Sequence, residues 1–198
     1  MSPRERILRA ARLIYEKEGL AGLSMRRVSQ RVRLTPMALY RHYANKDALL
    51  DALVAEGFGH FEAVVQKAAD EPTPIARIRG VCHGYVDFAL ANPRMFELMF
   101  LIPRRGIPTA PASLQSSPSP AFTRIIAAVH EAMETRVIPA DDPGQVMLFL
   151  WGTLHGLIAL HFSGRFQFDD ALFRKVAAAQ IDRLIRLLAP GRSSRSRK

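Results

Sequence analysis

Residues 24–47, SMRRVSQRVRLTPMALYRHYANKD, decide the fold. Ser24 can close the first turn of a helix with its hydroxyl, and Val28 and Val32, four apart, give that helix one apolar side. Arg26, Arg27 and Arg31 leave it a cationic outer side. Thr35-Pro36 is a second start signal: a hydroxyl cap, then a proline whose missing N–H is no loss in a first turn. Only Arg33 and Leu34 lie between the first helix and this cap, so the chain must turn a sharp corner. Two helices about such a corner make a helix-turn-helix.

At about 100° per residue, Leu39 and Tyr43 of the second helix coincide and point at a core. Met37, Ala38 and Arg41 point the other way, with Tyr40 and His42 on the flanks. A helix that is only solvated has little use for methionine beside arginine. A helix entering a DNA major groove does, because arginine bonds guanine bidentately and apolar groups meet the thymine methyl. Asn45-Lys46-Asp47 then begins another helix, where free amides and Lys46 make a phosphate clamp.

Upstream, Ser2-Pro3-Arg4-Glu5 forms a capping box, and Ile7, Leu8, Ala11, Ile14 and Tyr15 build one apolar stripe that Gly19 terminates. The charge is uneven. Residues 1–47 carry 11 Lys/Arg against 4 Asp/Glu, whereas residues 48–189 carry 13 against 14. A basic end on a neutral body suits a polyanion touched at that end. The tail from Pro190 to Lys198 adds four more cations and is expected to be disordered.

With these residues in view, Arg4 to about Phe61 resembles the DNA-binding domain of the TetR family of bacterial transcription regulators. The matching pieces are RERIL-x-AA, the Gly19 stop, SMRRV, TPMALYRHY and NKDALLDAL. The resemblance implies that Thr35, Tyr40 and Lys46 hold phosphates, while Met37, Ala38, Arg41 and His42 meet base edges. Ser24, Arg26, Arg27, Pro36 and Tyr43 complete the candidate DNA-binding set. Arg33 departs from the family, which usually has glycine in the turn. Either the turn differs, or arginine sits at positive φ at a cost of about 1 kcal/mol.

The expected organisation is all-α: a three-helix DNA-binding domain over residues 1–47, then a helical effector-binding and dimerisation domain over 48–189. A long fourth helix leads on from Lys46, with breaks at Glu71-Pro72-Thr73-Pro74 and Asn92-Pro93. A proline-rich loop is expected between Pro103 and Pro120, with further helices over 121–137, 143–162 and from Asp169 or Asp170 to Ala189. The helix over 143–162 is apolar almost all round and needs partners on several sides.

Gly152 and Gly156 on that helix, with Phe173, Ala177, Ile181, Leu184 and Leu188 on the last, are the candidate dimer interface. One short recognition helix makes few contacts, and a two-fold pair reads a palindrome with half-sites ~34 Å apart. Trp151-Gly152-Thr153-Leu154-His155-Gly156 also resembles the W-x-x-x-H-G signature of one C-terminal subclass of the family. Trp151 and His155 share a helix face. With His83, Phe88, Phe96, Met99, Phe122 and Met133 they form a candidate pocket of adaptable apolar walls and a few polar handles, or else ordinary core.

Other classes find less support. Cys82-His83 with Asp87 is the nearest approach to a nucleophile set, but neighbours on a helix diverge by about 100° and cannot readily bond each other. The histidines lack metal-ligand spacing, so no metal and no cofactor is expected. The single cysteine agrees with a reducing cytosol. No signal peptide is read at the N-terminus, and the most apolar run, Val146 to Leu160, falls short of the ~20 residues that a membrane span needs. The reading is a cytoplasmic, dimeric repressor, not an enzyme, released from DNA by a small apolar effector. The alternative is a constitutive or architectural DNA-binding protein without an effector.

Overall fold

A computed structural model describes residues 1–103 and 120–188 of the chain. The expected proline-rich loop between Pro103 and Pro120 and the basic tail from Pro190 lie outside the described residues. No strand occurs among the described residues. The helices are α1 (Pro3–Gly22), α2 (Met25–Val32), α3 (Pro36–Tyr40), α4 (Lys46–Ala69), α5 (Pro74–Ala91), α6 (Pro93–Phe96), α7 (Pro120–Glu134), α8 (Pro143–Phe162) and α9 (Asp170–Leu188). A π-helical turn, Glu97–Leu101, continues α6.

The starts follow the expected caps. Ser2 and Glu5 close the capping box of α1, Ser24 accepts from the Arg27 amide, and Thr35 accepts from the Ala38 amide. Asn45 accepts from Ala48 at 2.8 Å, Asp142 from Gln145 at 3.0 Å and Asp169 from Leu172 at 2.7 Å. Each satisfies an amide that the helix cannot. α3 is shorter than expected. Beyond Tyr40 its bonds tighten, with the His42 amide donating to the Leu39 carbonyl at 2.9 Å, and a last helical bond runs from the Tyr43 amide to the same carbonyl at 3.1 Å.

By internal packing the chain divides into two compact units: Met1–His60 with Asn92–Pro103, and Phe61–Ala91 with Arg104–Lys198. The division falls within α4 and returns α6 with its π-turn to the first unit. A boundary drawn by charge, after Asp47, would place all of that helical segment with the body.

In the first unit Ile7, Ala11, Tyr15, Val28, Leu39, Leu49 and Leu53 are fully buried, each large side chain contributing about 1.5–3 kcal/mol. Gly19 has φ 66° and breaks the helical path inside α1. Arg33 has φ 56° and ψ 43°, which settles the turn as one with arginine in the left-handed region. Its amide donates to Gln30 at 3.2 Å and the Leu34 amide to Ser29 at 3.0 Å, the paired bonds of a Schellman cap. Farther on, Gly57 leaves a notch on α4 under the sulfurs of Met95 and Met99. Phe100 of the π-turn packs edge-on to Phe58, with centroids 5.7 Å apart.

In the second unit α5 lies against α7, α8 and α9. Gly84 and Gly80 admit Val64 and Ala68 from the last turns of α4; a Cβ at Gly84 would lie 2.3 Å from the Val64 Cγ1. α8 spans 20 residues and is, by length and composition, apolar enough to cross a membrane, which corrects the shorter run expected from sequence. Its Val146, Met147, Leu150, Leu154 and Ile158 are buried within the unit instead.

Candidate functional site

The helix-turn-helix presents its outer face as the wheel requires. Met37 is 69% exposed and Tyr40 48%, an unusual cost for large apolar groups unless something covers them. Thr35, Pro36 and Arg41 are also exposed, with Ala38 and His42 partly so, while Leu39 is buried. Arg26, Arg31 and Arg33 add exposed cations on α2 and in the turn.

Four members of the candidate DNA-binding set have other work in this structure. Tyr43 is buried, its hydroxyl 3.5 Å from the Arg4 carbonyl and its ring under the Arg4 guanidinium, so it supports α1 and offers no base contact. The Ser24 hydroxyl is engaged as a cap. Arg27 folds back on α1, pairing with both carboxylate oxygens of Glu18 and donating to the Gly22 carbonyl at 2.8 Å. That hydrogen bond and charge hold the Glu18 carboxyl below its ordinary pKa. Lys46 donates from Nζ to the Leu20 carbonyl at 2.9 Å. Sequence patterning sees the cations but not the carbonyls that tertiary packing brings beside them.

The second candidate site centres on Tyr85 of α5, which the sequence reading did not single out. Trp151 Nε1 donates to the Tyr85 hydroxyl at 3.0 Å, and that oxygen lies 2.8 Å from His155 Nδ1. Since the indole N–H can only donate, the tyrosine accepts from it and donates its own proton to Nδ1. Burial pushes the Tyr85 hydroxyl well above its ordinary pKa and holds the His155 imidazolium below its own. Both causes favour the neutral forms that this relay needs.

Aromatic rings surround the relay. Phe122 meets Trp151 edge-on at 5.3 Å, and Phe61 meets Tyr85 at 5.6 Å and Phe88 at 5.6 Å. The candidate pocket list therefore divides. Phe88, Phe122, Trp151 and His155 gather around Tyr85. Phe96 and Met99 are corrected to the first unit, buried beside Phe100 and over Gly57 respectively. His83 stands two residues from Tyr85 on α5, a spacing that turns it toward the other side of the helix. Met133 lines an open groove of about 1020 Å³ with Thr123, His130 and Asp141. The signal for Tyr85 was available: it lies three residues before Phe88 and four after Val81, on the apolar side of α5.

Part of the candidate dimer set is also corrected. Phe173, Ala177, Ile181 and Leu184 are buried inside the protomer, and Phe173 stacks on His161 with centroids 4.1 Å apart. The stripe that is periodic enough to notice is the one that the monomer consumes. Gly152 and Gly156 do face open space, with no atom within 4 Å of a Cβ built on either. Phe149 and Leu160 share their side of α8 and are exposed, as are Leu172 and Leu187 on α9. Leu188 is partly buried.

No group of three potential metal ligands occurs among the described residues. Burial raises the Cys82 thiol to about 12 and leaves it un-ionised, unsuited to nucleophilic chemistry.

Comparison with known proteins adds the family. Residues 7–53 match the domain described as "Bacterial regulatory proteins, tetR family", and residues 78–184, more than half the chain, match "Tetracyclin repressor-like, C-terminal domain". The chain belongs to the TetR family. A TetR-type helix-turn-helix is thus followed by a TetR-type helical domain, and the family's members are transcriptional regulators, not enzymes. The chain is 29% identical over 106 residues to the uncharacterized HTH-type transcriptional regulator YobS of Bacillus subtilis, covering 51% of this chain and 56% of YobS. It spans about half the length of the first curated relatives that it matches. It is 25% identical to the HTH-type transcriptional repressor SCO4008 of Streptomyces coelicolor, over 73% of this chain and 72% of that one. A protein of unknown function from Rhodococcus sp. RHA1 superposes with a TM-score of 0.80 at 27% identity, covering 96% of this chain and 97% of that one. The TetR-family regulator PfmR of Thermus thermophilus shares the fold with a TM-score of 0.66 at 20% identity, over 96% and 100%.

Proposed function

We propose that this TetR-family protein is a cytoplasmic transcriptional repressor that grips a palindromic operator as a homodimer and leaves it when a small, largely apolar effector binds. The observation that carries the reading is the outward pairing of Met37 and Arg41 on a capped α3. Water gains nothing from that pairing, whereas a major groove offers a thymine methyl to one and guanine acceptors to the other. Thr35 and Tyr40, on the same helix, suit phosphates and would set the register.

Dimerisation follows from geometry. A single α3 touches few base pairs, and a second copy related by a two-fold doubles the contacts. The outer stripes of α8 and α9, with Phe149, Gly152, Gly156 and Leu160 on one and Leu172 and Leu187 on the other, suit a second copy. The two glycines allow the backbones to come close. The effector is assigned to the second unit, beside the Trp151–Tyr85–His155 relay, where aromatic walls surround a few oriented polar groups. It acts only if it prefers the protein conformation that fits DNA poorly.

The test is selection of duplexes by the purified chain from a random DNA pool. The reading expects an inverted repeat with half-sites about one turn apart, ~34 Å. Enrichment of no sequence would overturn it. An effector-independent protein would still enrich a repeat, but no apolar compound would then raise its melting temperature by mass action.

A further inference from the structure

Arg33 is strained by the fold and gets nothing back from it among the described residues. It holds φ 56° in the turn between α2 and α3, a region unfavourable to any side chain. The turn itself uses only backbone, since the Arg33 and Leu34 amides close it on the Gln30 and Ser29 carbonyls. Glycine would close it with less strain. The Arg33 side chain is exposed and meets no carboxylate, carbonyl or ring among the described residues. Strain of this kind persists only where something over-determines it, and it is a pointer to function. The surroundings are cationic. Arg6 of α1 donates from Nη2 to the Val32 carbonyl at 3.3 Å, in the peptide that leads into Arg33, so a second guanidinium stands against the same turn. Other arginines of the first unit are matched: Arg12 meets Glu56, Arg27 meets Glu18 and Arg94 meets Glu97. Neither Arg6 nor Arg33 is paired with a carboxylate among the described residues. Cations gathered without a counter-charge raise the local potential and favour a bound anion.

We propose that Arg33 is a phosphate ligand, which grips the DNA backbone one step outside the contact of Thr35. This rests on the DNA-binding reading above. Thr35, the cap of α3, stands two residues on, a reach of at most ~7 Å, about the step between successive phosphates on one strand. A guanidinium offers a fork of N–H donors that fits two phosphate oxygens at once. The turn is then less stable in the free protein, and tighter on DNA, than one built on glycine. Every nucleotide carries the same phosphate, so the contact adds affinity without reading sequence.

Arg33→Gly and Arg33→Asn both accept a positive φ and remove the charge, whereas Arg33→Lys keeps the charge. Arg183→Gln, at an exposed position of α9, removes the same charge outside the helix-turn-helix. Each variant and the wild type is titrated on the duplex that the wild type selects and on a scrambled duplex, across a salt series, below every protein's melting transition. The proposal expects Arg33→Gly and Arg33→Asn to bind both duplexes about three- to tenfold more weakly at low salt. Their salt slopes should be shallower by about 0.9, the share of one phosphate contact. Arg33→Lys is expected to keep the slope and most of the affinity, and Arg183→Gln to match the wild type.

A loss confined to the selected duplex would make Arg33 a base reader and overturn the proposal. Wild-type binding by Arg33→Gly overturns it too. So does an equal loss from Arg183→Gln, which would reduce the effect to net charge. Weaker binding by Arg33→Gly with an unchanged salt slope would assign the loss to the shape of the turn and contradict the contact. A wild type that binds no duplex at all contradicts the DNA-binding reading itself, which is a separate result.

Discussion

The Tyr85 hydroxyl, 2.8 Å from His155 Nδ1, takes the indole proton of Trp151 on its other side, so three residues from α5 and α8 share one directed chain of hydrogen bonds. The arrangement requires an unprotonated Nδ1. A His155 whose folded pKa lies below its ordinary 6.5, through burial, takes up its proton more readily when unfolded. Its share of stability is therefore complete above about pH 6.5 and is lost as the pH falls from there toward the folded pKa. Melting temperatures measured from pH 7.5 to 5 are expected to fall more steeply for the wild type than for His155→Gln. Parallel curves would contradict the relay.

Arg33 holds a left-handed conformation in the turn between α2 and α3, where a side chain adds strain. Arg33→Gly is expected to raise stability by about 1 kcal/mol, since the Schellman bonds come from the backbone and remain. Urea midpoints check this. A lower midpoint would mean that the arginine side chain contributes more than its backbone loses.

Two glycines on neighbouring helices are expected to behave oppositely. A Cβ at Gly84 would lie 2.3 Å from Cγ1 of a stiff, branched Val64, whereas one at Gly59 meets nothing within 4 Å. Gly84→Ala should cost about 1–3 kcal/mol by overpacking. Gly59→Ala, in the exposed middle of α4, should instead gain about 0.5–1 kcal/mol from helix propensity. Denaturant unfolding of the two variants side by side measures the sign directly, and a stabilised Gly84→Ala would contradict the close approach of α4 and α5.

The proposed dimer surface can be tested apart from the protomer core, because its residues on α8 are exposed in the single chain. Gly152 faces open space, so Gly152→Glu should leave the melting of the isolated protomer little changed while placing a charge on the apolar stripe of α8. Sedimentation is expected to show monomers at concentrations where the wild type is dimeric. A dimer as tight as that of the wild type would move the interface elsewhere.

Much of this architecture was legible from local chemistry. Capping residues located the starts of α1, α2, α3, α4, α8 and α9, because a cap is a bond between residues three apart and needs no tertiary context. Gly19 and the corner at Arg33 were readable for the same reason. What escaped depended on partners distant in sequence. Lys46 and Arg27 were readable as exposed cations, but not their bonds to the carbonyls of Leu20 and Gly22, which only the fold brings beside them. The periodic stripe on α9 showed that one side is apolar, but not whether the protomer or a second copy covers it, and Phe173 proved to be core. Tyr85 went unnoticed because an aromatic on the apolar side of a helix declares its ring and not its hydroxyl.

The most direct test of the account is Arg41→Ala, measured by fluorescence anisotropy on the duplex selected by the wild type and on a scrambled control. Removing a bidentate guanine contact should cost about 1–3 kcal/mol on the selected duplex and far less on the scrambled one, collapsing the ratio between them. Equal weakening on both would show that Arg41 supplies only charge, and would contradict base reading by the outer face of α3.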